Sequence, residues 1–273
     1  MSTALEAFLK NKKSSRMPVL FVGHGSPMNI VADNEYTRSL SRFALSLPKP
    51  KSILIISAHW ETEGSFVQAS SRPTIIHDFY GFPASLYQTG YESEGAPQLA
   101  SVLEEQLKPQ VSATTNWGLD HGAWSVLYHM YPEGEIPVSQ ISLNVNMNFS
   151  QHYQLAQELI HLRDQEVLII ASGNIVHNLR TIQWQEDAPT ADWAQDFDLR
   201  VAEALQSGQY EKFLAPENMG GADLFRKAHP SLDHYIPLLY SLGARTEKDQ
   251  VHWIFEGMQN SSISMRSLMF SED

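Results

Sequence analysis

Three apolar runs in this chain each lead into a histidine: Val19-Leu20-Phe21-Val22-Gly23-His24-Gly25-Ser26-Pro27, Ile53-Leu54-Ile55-Ile56-Ser57-Ala58-His59-Trp60, and Val167-Leu168-Ile169-Ile170-Ala171-Ser172-Gly173-Asn174-Ile175-Val176-His177. A neutral imidazole is a metal ligand, a general base and a proton carrier near neutral pH. A buried strand that runs into a glycine-rich turn presents its side chains at the carboxyl edge of a sheet, where open α/β proteins bind ligands. Three strands delivering imidazole to one edge predict a metal site. The chain contains no cysteine. Nitrogen and oxygen must therefore hold the ion, which suits Zn, Fe, Mn, Ni or Cu and excludes an Fe–S cluster.

Each histidine is weighed by its neighbours. His24 has a glycine on either side, so its ring is the one side chain offered there and a ligand can approach closely. His59 follows its strand by two small residues, and Trp60 beside it could wall a pocket. His177 comes after Ser-Gly-Asn, where a helix could begin. A helix N-terminus would lower its pKa and keep the ring neutral, as a ligand or a proton carrier requires. Spacing does not separate those two roles.

His121 opens a predicted helix beside Asp120, a candidate orienting carboxylate, and is assigned acid/base or hydrogen-bonding work. His234 stands at or just before another helix, since Pro237 is best tolerated in a first turn; His229 is a weaker neighbour. His77, Tyr80 and Trp60 are candidate substrate contacts, with Phe82 and Tyr87 as further aromatic wall. His129, His152, His161 and His252 lack such context and read as structural or solvated. Ser26 reads as a turn cap rather than a nucleophile.

The elements that must position these residues follow the same pattern. A helix from Asp33 or Asn34 to about Leu45 links the first two strands. Phe66–Ala69 could pair beside the second, and an aromatic loop spans Pro73–Pro83. Helices are predicted at 96–107, from Asp120 to about Tyr131, from a Ser150 cap to Arg163, and at 192–206. Further strands are expected at 111–116 and 137–143. His252–Glu256 and Ser262–Met265 are predicted to close the chain as an antiparallel pair. The result is an α/β fold: one domain over 18–273, a mixed central sheet with flanking helices, and a small antiparallel C-terminal strand pair. Residues 1–17 read as an N-terminal arm.

Composition narrows the partners. Nineteen basic and 31 acidic residues in 273 give a net charge of −12, which argues against sequence-independent nucleic-acid binding. No apolar run approaches the ~18 residues of a membrane span. The early basic cluster (Lys10, Lys12, Lys13, Arg16) follows Ala4–Leu9, the reverse of a signal peptide, so a cytoplasmic protein is expected. Met28 breaks a dinucleotide fingerprint after Gly23 and Gly25, and no phosphate loop, nucleophile elbow or His-Glu-x-x-His motif occurs.

Five motifs together resemble the class III (LigB-type) extradiol ring-cleavage dioxygenases, most closely their 4,5-DOPA branch. They are Gly23-His24-Gly25-Ser26-Pro27, Ser57-Ala58-His59-Trp60, Asp120-His121-Gly122, Ala171 to Arg180, and His234-Tyr235-Ile236-Pro237-Leu238. The resemblance implies non-haem Fe(II), a catechol that chelates it, O2 as co-substrate and ring cleavage beside the diol. It implies metal ligation by His24, His59 and His234, with His177 as acid/base or further ligand and His121 near the substrate. Many of these enzymes use two histidines and one carboxylate. The matching third position here is His234, a change that could favour Zn(II), and Glu61 is the nearest carboxylate. A zinc-dependent hydrolase and a non-catalytic metal-binding protein are the alternatives on the same residues.

Overall fold

A computed structural model describes residues 16–185 and 188–272. Its centre is an eight-stranded mixed sheet in the order β4-β3-β5-β2-β6-β1-β10-β7. The strands are β1 (Val19–Gly23), β2 (Ser52–Thr62), β3 (Ser65–Gln68), β4 (Val111–Thr114), β5 (Val138–Asn144), β6 (Val167–Gly173), β7 (Gln250–Phe255) and β10 (Ser267–Ser271). The middle four, β5-β2-β6-β1, are parallel. The three histidine-bearing strands are neighbours among them, so their carboxyl ends share one stretch of sheet edge.

Both faces of that parallel core are covered, which is why its strands read as continuous apolar runs rather than alternating ones. Successive residues divide between two cores. Val19, Phe21, Leu54, Ile56, Ile169 and Ala171 face a layer built from α3 (Pro97–Gln106), α5 (Phe149–Gln157), α6 (Asp192–Gln206) and α8 (Ile236–Gly243). Leu20, Val22, Ile53, Ile55, Leu168 and Ile170 face α1 (Glu35–Ser46) and α4 (His121–Met130). Two short helices, α2 (Ala84–Tyr87) and α7 (Ala222–Ala228), lie in the connections.

The helices start where short polar side chains satisfy their free N–H groups. Asn34 caps α1 in a reciprocal box with Thr37, and Asp120 caps α4 through Ala123 N–H. For α5 the cap is Asn148, not the predicted Ser150, and the helix stops at Gln157. A 3-10 turn at Ile160–Gln165 follows instead of more α-helix. Beside β2 lies β5 rather than residues 66–69, which pair one strand further out.

The chain's end is also wired differently from the predicted pairing of 252–256 with 262–265. β7 pairs antiparallel with β10, which extends the main sheet past β1. The small antiparallel pair is β8 (Met258–Gln259) with β9 (Ile263–Ser264). The alternation of 262–265 runs into 267–271 with only Arg266 between, so periodicity did not separate two strands there. Of the predicted arm, residues 1–15 lie outside the described residues. Met17 is buried, donating its N–H to Arg163 O at 2.9 Å and accepting from Arg163 Nε at 2.6 Å.

Candidate metal centre and active site

The site stands at the carboxyl edge of β1, β6 and β2. His24 follows Gly23 directly, and its N–H bonds to Gly173 O at the end of β6. Gly25 then turns the chain with φ +64°, a conformation glycine adopts without strain. His59 lies on a bulge of β2: Ile56 pairs with Ile141, but the next paired residue, Glu61, meets Leu143. The extra residues on β2 re-aim the strand there, as bulges beside active sites do. Gly122 makes room for the result, because a Cβ at that position would stand 2.8 Å from the His59 ring and 2.5 Å from Ser57 Oγ.

Five imidazoles converge. The ring centroids of His24, His59 and His234 form a nearly equilateral triangle, with separations of 5.0, 5.1 and 5.0 Å. His121 lies 3.9 Å from His59, and His177 stacks on His234 at 3.4 Å with planes 9° apart. One nitrogen from each of His24, His59 and His121 falls within 4.8 Å of the others, a group able to hold an ion. His177 belongs to no helix; it forms an isolated bridge to Ile263. The helix-terminus account of its pKa therefore fails, and burial is the cause, bringing it down to about 4.

Neighbouring groups decide which ring nitrogen is free. Ser172 Oγ donates to Gly122 O at 2.6 Å, so towards His24 Nδ1, 3.0 Å away, it accepts. That leaves His24 Nε2 with a bare lone pair. His234 Nδ1 is 2.6 Å from Asp233 Oδ2, and its Nε2 is buried without a partner. His121 Nδ1 is 2.9 Å from Asp78 Oδ2. His177 differs from these: among the described residues no hydrogen bond fixes its ring. Burial holds His24 and His234 well below the ordinary histidine range and brings His59 down to about 3. All three rings are therefore neutral at pH 7.

The carboxylate serving His121 is Asp78, not the adjacent Asp120. Asp120 is fully buried and occupied elsewhere, accepting from Ser57 Oγ at 2.5 Å, from Gln140 and from Ala123 N–H. Burial raises its pKa. Burial also pushes Asp78 up, but hydrogen bonding from His121 and the nearby His121 and His59 rings outweigh it and hold the carboxyl below its usual range.

The histidines floor a cavity of about 510 Å³ walled by Phe79, Tyr80, Phe82, Leu179, Ile182 and Trp184. Tyr80 is 91% and Trp184 76% exposed, at the mouth. Of the three candidate substrate contacts, only Tyr80 lines this space. Trp60 is buried and stacks on Trp117 at 5.6 Å, while His77 packs among Phe79, Tyr87 and Trp124. His77 therefore supports Phe79 from behind the wall, and Trp60 lies away from the lining. Glu61 is exposed and not part of the lining. Ser26 Oγ accepts from Met28 N–H, as a turn cap does.

The family described as "Catalytic LigB subunit of aromatic ring-opening dioxygenase" matches residues 15–270. The chain belongs to the LigB family. A relative named 4,5-DOPA dioxygenase extradiol, from Escherichia coli (strain K12), is 42% identical over 93% of this chain and 95% of its own length. Another of that name, from Beta vulgaris, is 36% identical over 92% and 95%. A crystal structure of an uncharacterized Escherichia coli K12 protein overlays with a TM-score of 0.81 at 36% identity, covering 94% of this chain and 100% of that one. The LigB chain is thus an oxidoreductase of the extradiol ring-cleavage dioxygenase class. Among the described residues no helix is long and apolar enough to cross a membrane.

The LigB histidines fit a metal ion. His24 Nε2 and His59 Nε2 stand 3.1 Å apart. Two imidazole nitrogens each bound at ~2.0–2.1 Å and roughly at right angles would be separated by about 3.0 Å. His121 is the third residue whose nitrogen lies within 4.8 Å of both, and the ring of His234, with its Nε2 buried and unpartnered, stands about 5 Å from those of His24 and His59. Asp78, Asp233 and Ser172 were not picked from the sequence. Asp233 adjoins a candidate ligand, which was a usable signal; Asp78 and Ser172 act across the fold and gave none.

Proposed function

We propose that this protein is a metal-dependent extradiol dioxygenase that opens the ring of a catechol, with 4,5-cleavage of DOPA as the reaction. The observation that carries the proposal is the triangle of His24, His59 and His234 rings on the floor of an aromatic-walled cavity. In it His24, His59 and His234 hold the ion through Nε2, each ring backed at Nδ1 by a serine or carboxylate. Fe(II), when bound, supplies the redox chemistry that lets a catechol react with O2, whereas Zn(II) would occupy the same nitrogens without it. A cytoplasmic, reducing setting belongs to the same reading, since it favours the ferrous ion.

The remaining residues handle the substrate and its protons. A catechol ring entering between Phe79, Phe82 and Ile182 gains offset or edge-on aromatic contact and loses water. His177, neutral and stacked on His234, is free to take a hydroxyl proton and return it later. His121 presents Nε2 towards the same space with Asp78 behind it. Among the described residues the cavity lining holds two carboxylates, Asp78 and Asp233, and no lysine or arginine. The amino group of DOPA is therefore tolerated at the site, while its carboxylate points out of the mouth.

The test is oxygen consumption with formation of a yellow semialdehyde when anaerobically iron-loaded protein meets DOPA. Silence across a panel of catechols at full iron occupancy would overturn the proposal. Ester or amide hydrolysis supported by zinc and abolished by iron would instead establish a hydrolase.

A further inference from the structure

Asp78 lies outside every strand and helix, on the loop that supplies the cavity's aromatic wall, yet both its oxygens are committed to the histidine cluster. Oδ1 accepts the backbone N–H of His121 at 2.7 Å, and Oδ2 accepts from His121 Nδ1 at 2.9 Å. The same Oδ2 stands 3.3 Å from His59 Nδ1. A carboxylate can only accept, so the facing ring nitrogens must carry the protons.

We propose that Asp78 is a positioning residue that holds His121 in the Nδ1–H tautomer and orients His59 with the same oxygen, turning Nε2 of both rings towards the cavity. It rests on the metal-dependent reading of the site. One side chain thereby serves a ring on β2 and a ring at the start of α4, elements that meet only in the tertiary structure. It also joins them to the substrate wall. Phe79, the next residue, meets the His121 ring edge-on at 5.6 Å and 89°. Any ligand that displaces Phe79 or Phe82 pulls on the anchor of both histidines. Partners of this kind behind metal-bound histidines change affinity or activity by 10–100-fold when removed.

Asparagine at 78 keeps the volume but supplies one acceptor oxygen and an NH2 group, so it cannot satisfy His121 N–H and both Nδ1–H groups. The experiment is nitrogen-resolved NMR of the histidine rings, assigned with a His121→Gln variant, alongside zinc titration as the metal probe. In metal-free wild-type protein His121 is expected as Nδ1–H, and in the zinc-loaded form His59 as well. Asp78→Asn is expected to populate His121 Nε2–H, to weaken zinc binding tenfold or more, and to lower kcat with KM changed less than threefold.

An Nε2–H His121 in the wild-type protein would overturn the proposal, and this measurement stands even if the variant fails to fold. Unchanged tautomers with zinc affinity within twofold in a folded Asp78→Asn would overturn it too. Neither readout requires turnover. A wild-type protein silent on catechols but showing these tautomers would refute the dioxygenase reading and leave the role of Asp78 intact.

Discussion

The five clustered imidazoles differ in how they are held, and that difference assigns their work. His24 and His234 are pinned through Nδ1 by Ser172 and Asp233. His177 is stacked on the face of His234, with no hydrogen bond to its ring among the described residues. A ligand needs a fixed ring, whereas a proton carrier gains from one that can move. His24→Ala is therefore expected to lose more than nine-tenths of its bound metal while keeping its fold, read by metal analysis and circular dichroism. His177→Ala is expected to retain more than half the metal and to lose turnover by at least a hundredfold. Equal metal loss in both variants would make His177 a plain ligand.

At the scale of elements, the bulge in β2 and the first turn of α4 fit together as one unit. Gly122 lies against the His59 ring, and Asp120 ties α4 to Ser57 on the bulge and to Gln140 on β5. Gly122→Ala puts a methyl group 2.8 Å from His59. The methyl also stands 2.5 Å from Ser57 Oγ, so Ser57 must shift too. Metal affinity is expected to fall at least tenfold, with a stability loss of about 1–3 kcal/mol in urea unfolding. Asp120→Ala acts differently, removing a helix cap and leaving Ser57 and Gln140 donors buried without an acceptor. A loss of about 2–4 kcal/mol in urea unfolding is expected. A loss below about 1 kcal/mol would show that water replaces the carboxylate.

For the whole molecule, the buried neutral histidines set the acid limit. Burial brings His152 down to about 4 and His229 to about 3, and holds the cluster low as well. Between the ordinary value of ~6.5 and these folded values the unfolded chain binds more protons, so stability present above pH 6.5 is lost as pH falls. At pH 5.5 each such ring costs about 1 kcal/mol relative to pH 7.5. Asp120, raised by burial, opposes this in part. Denaturant unfolding of metal-free protein at the two pH values is expected to show a multi-kcal/mol loss at pH 5.5. Bound metal should reduce it, since protons and metal compete for the same nitrogens. A flat profile would mean that these rings are solvated.

Much of this was legible in the chain itself. Long apolar runs with no alternation required strands covered on both faces, and those runs carried His24, His59 and His177 towards one edge whatever the packing. Glycines beside His24, Pro237 after His234 and Asp120 before His121 marked turns and helix starts through local backbone rules. Other features depended on residues far apart in sequence. Asp78 reaches His121 across 43 positions and Ser172 reaches His24 across 148, and no local pattern encodes a hydrogen bond made only after the sheet has assembled. The pairing of β7 with β10, the withdrawal of His77 and Trp60 from the cavity, and the choice of Asp78 over Asp120 were decided there. Strand order and side-chain packing selected one partner from several that sequence periodicity treats alike.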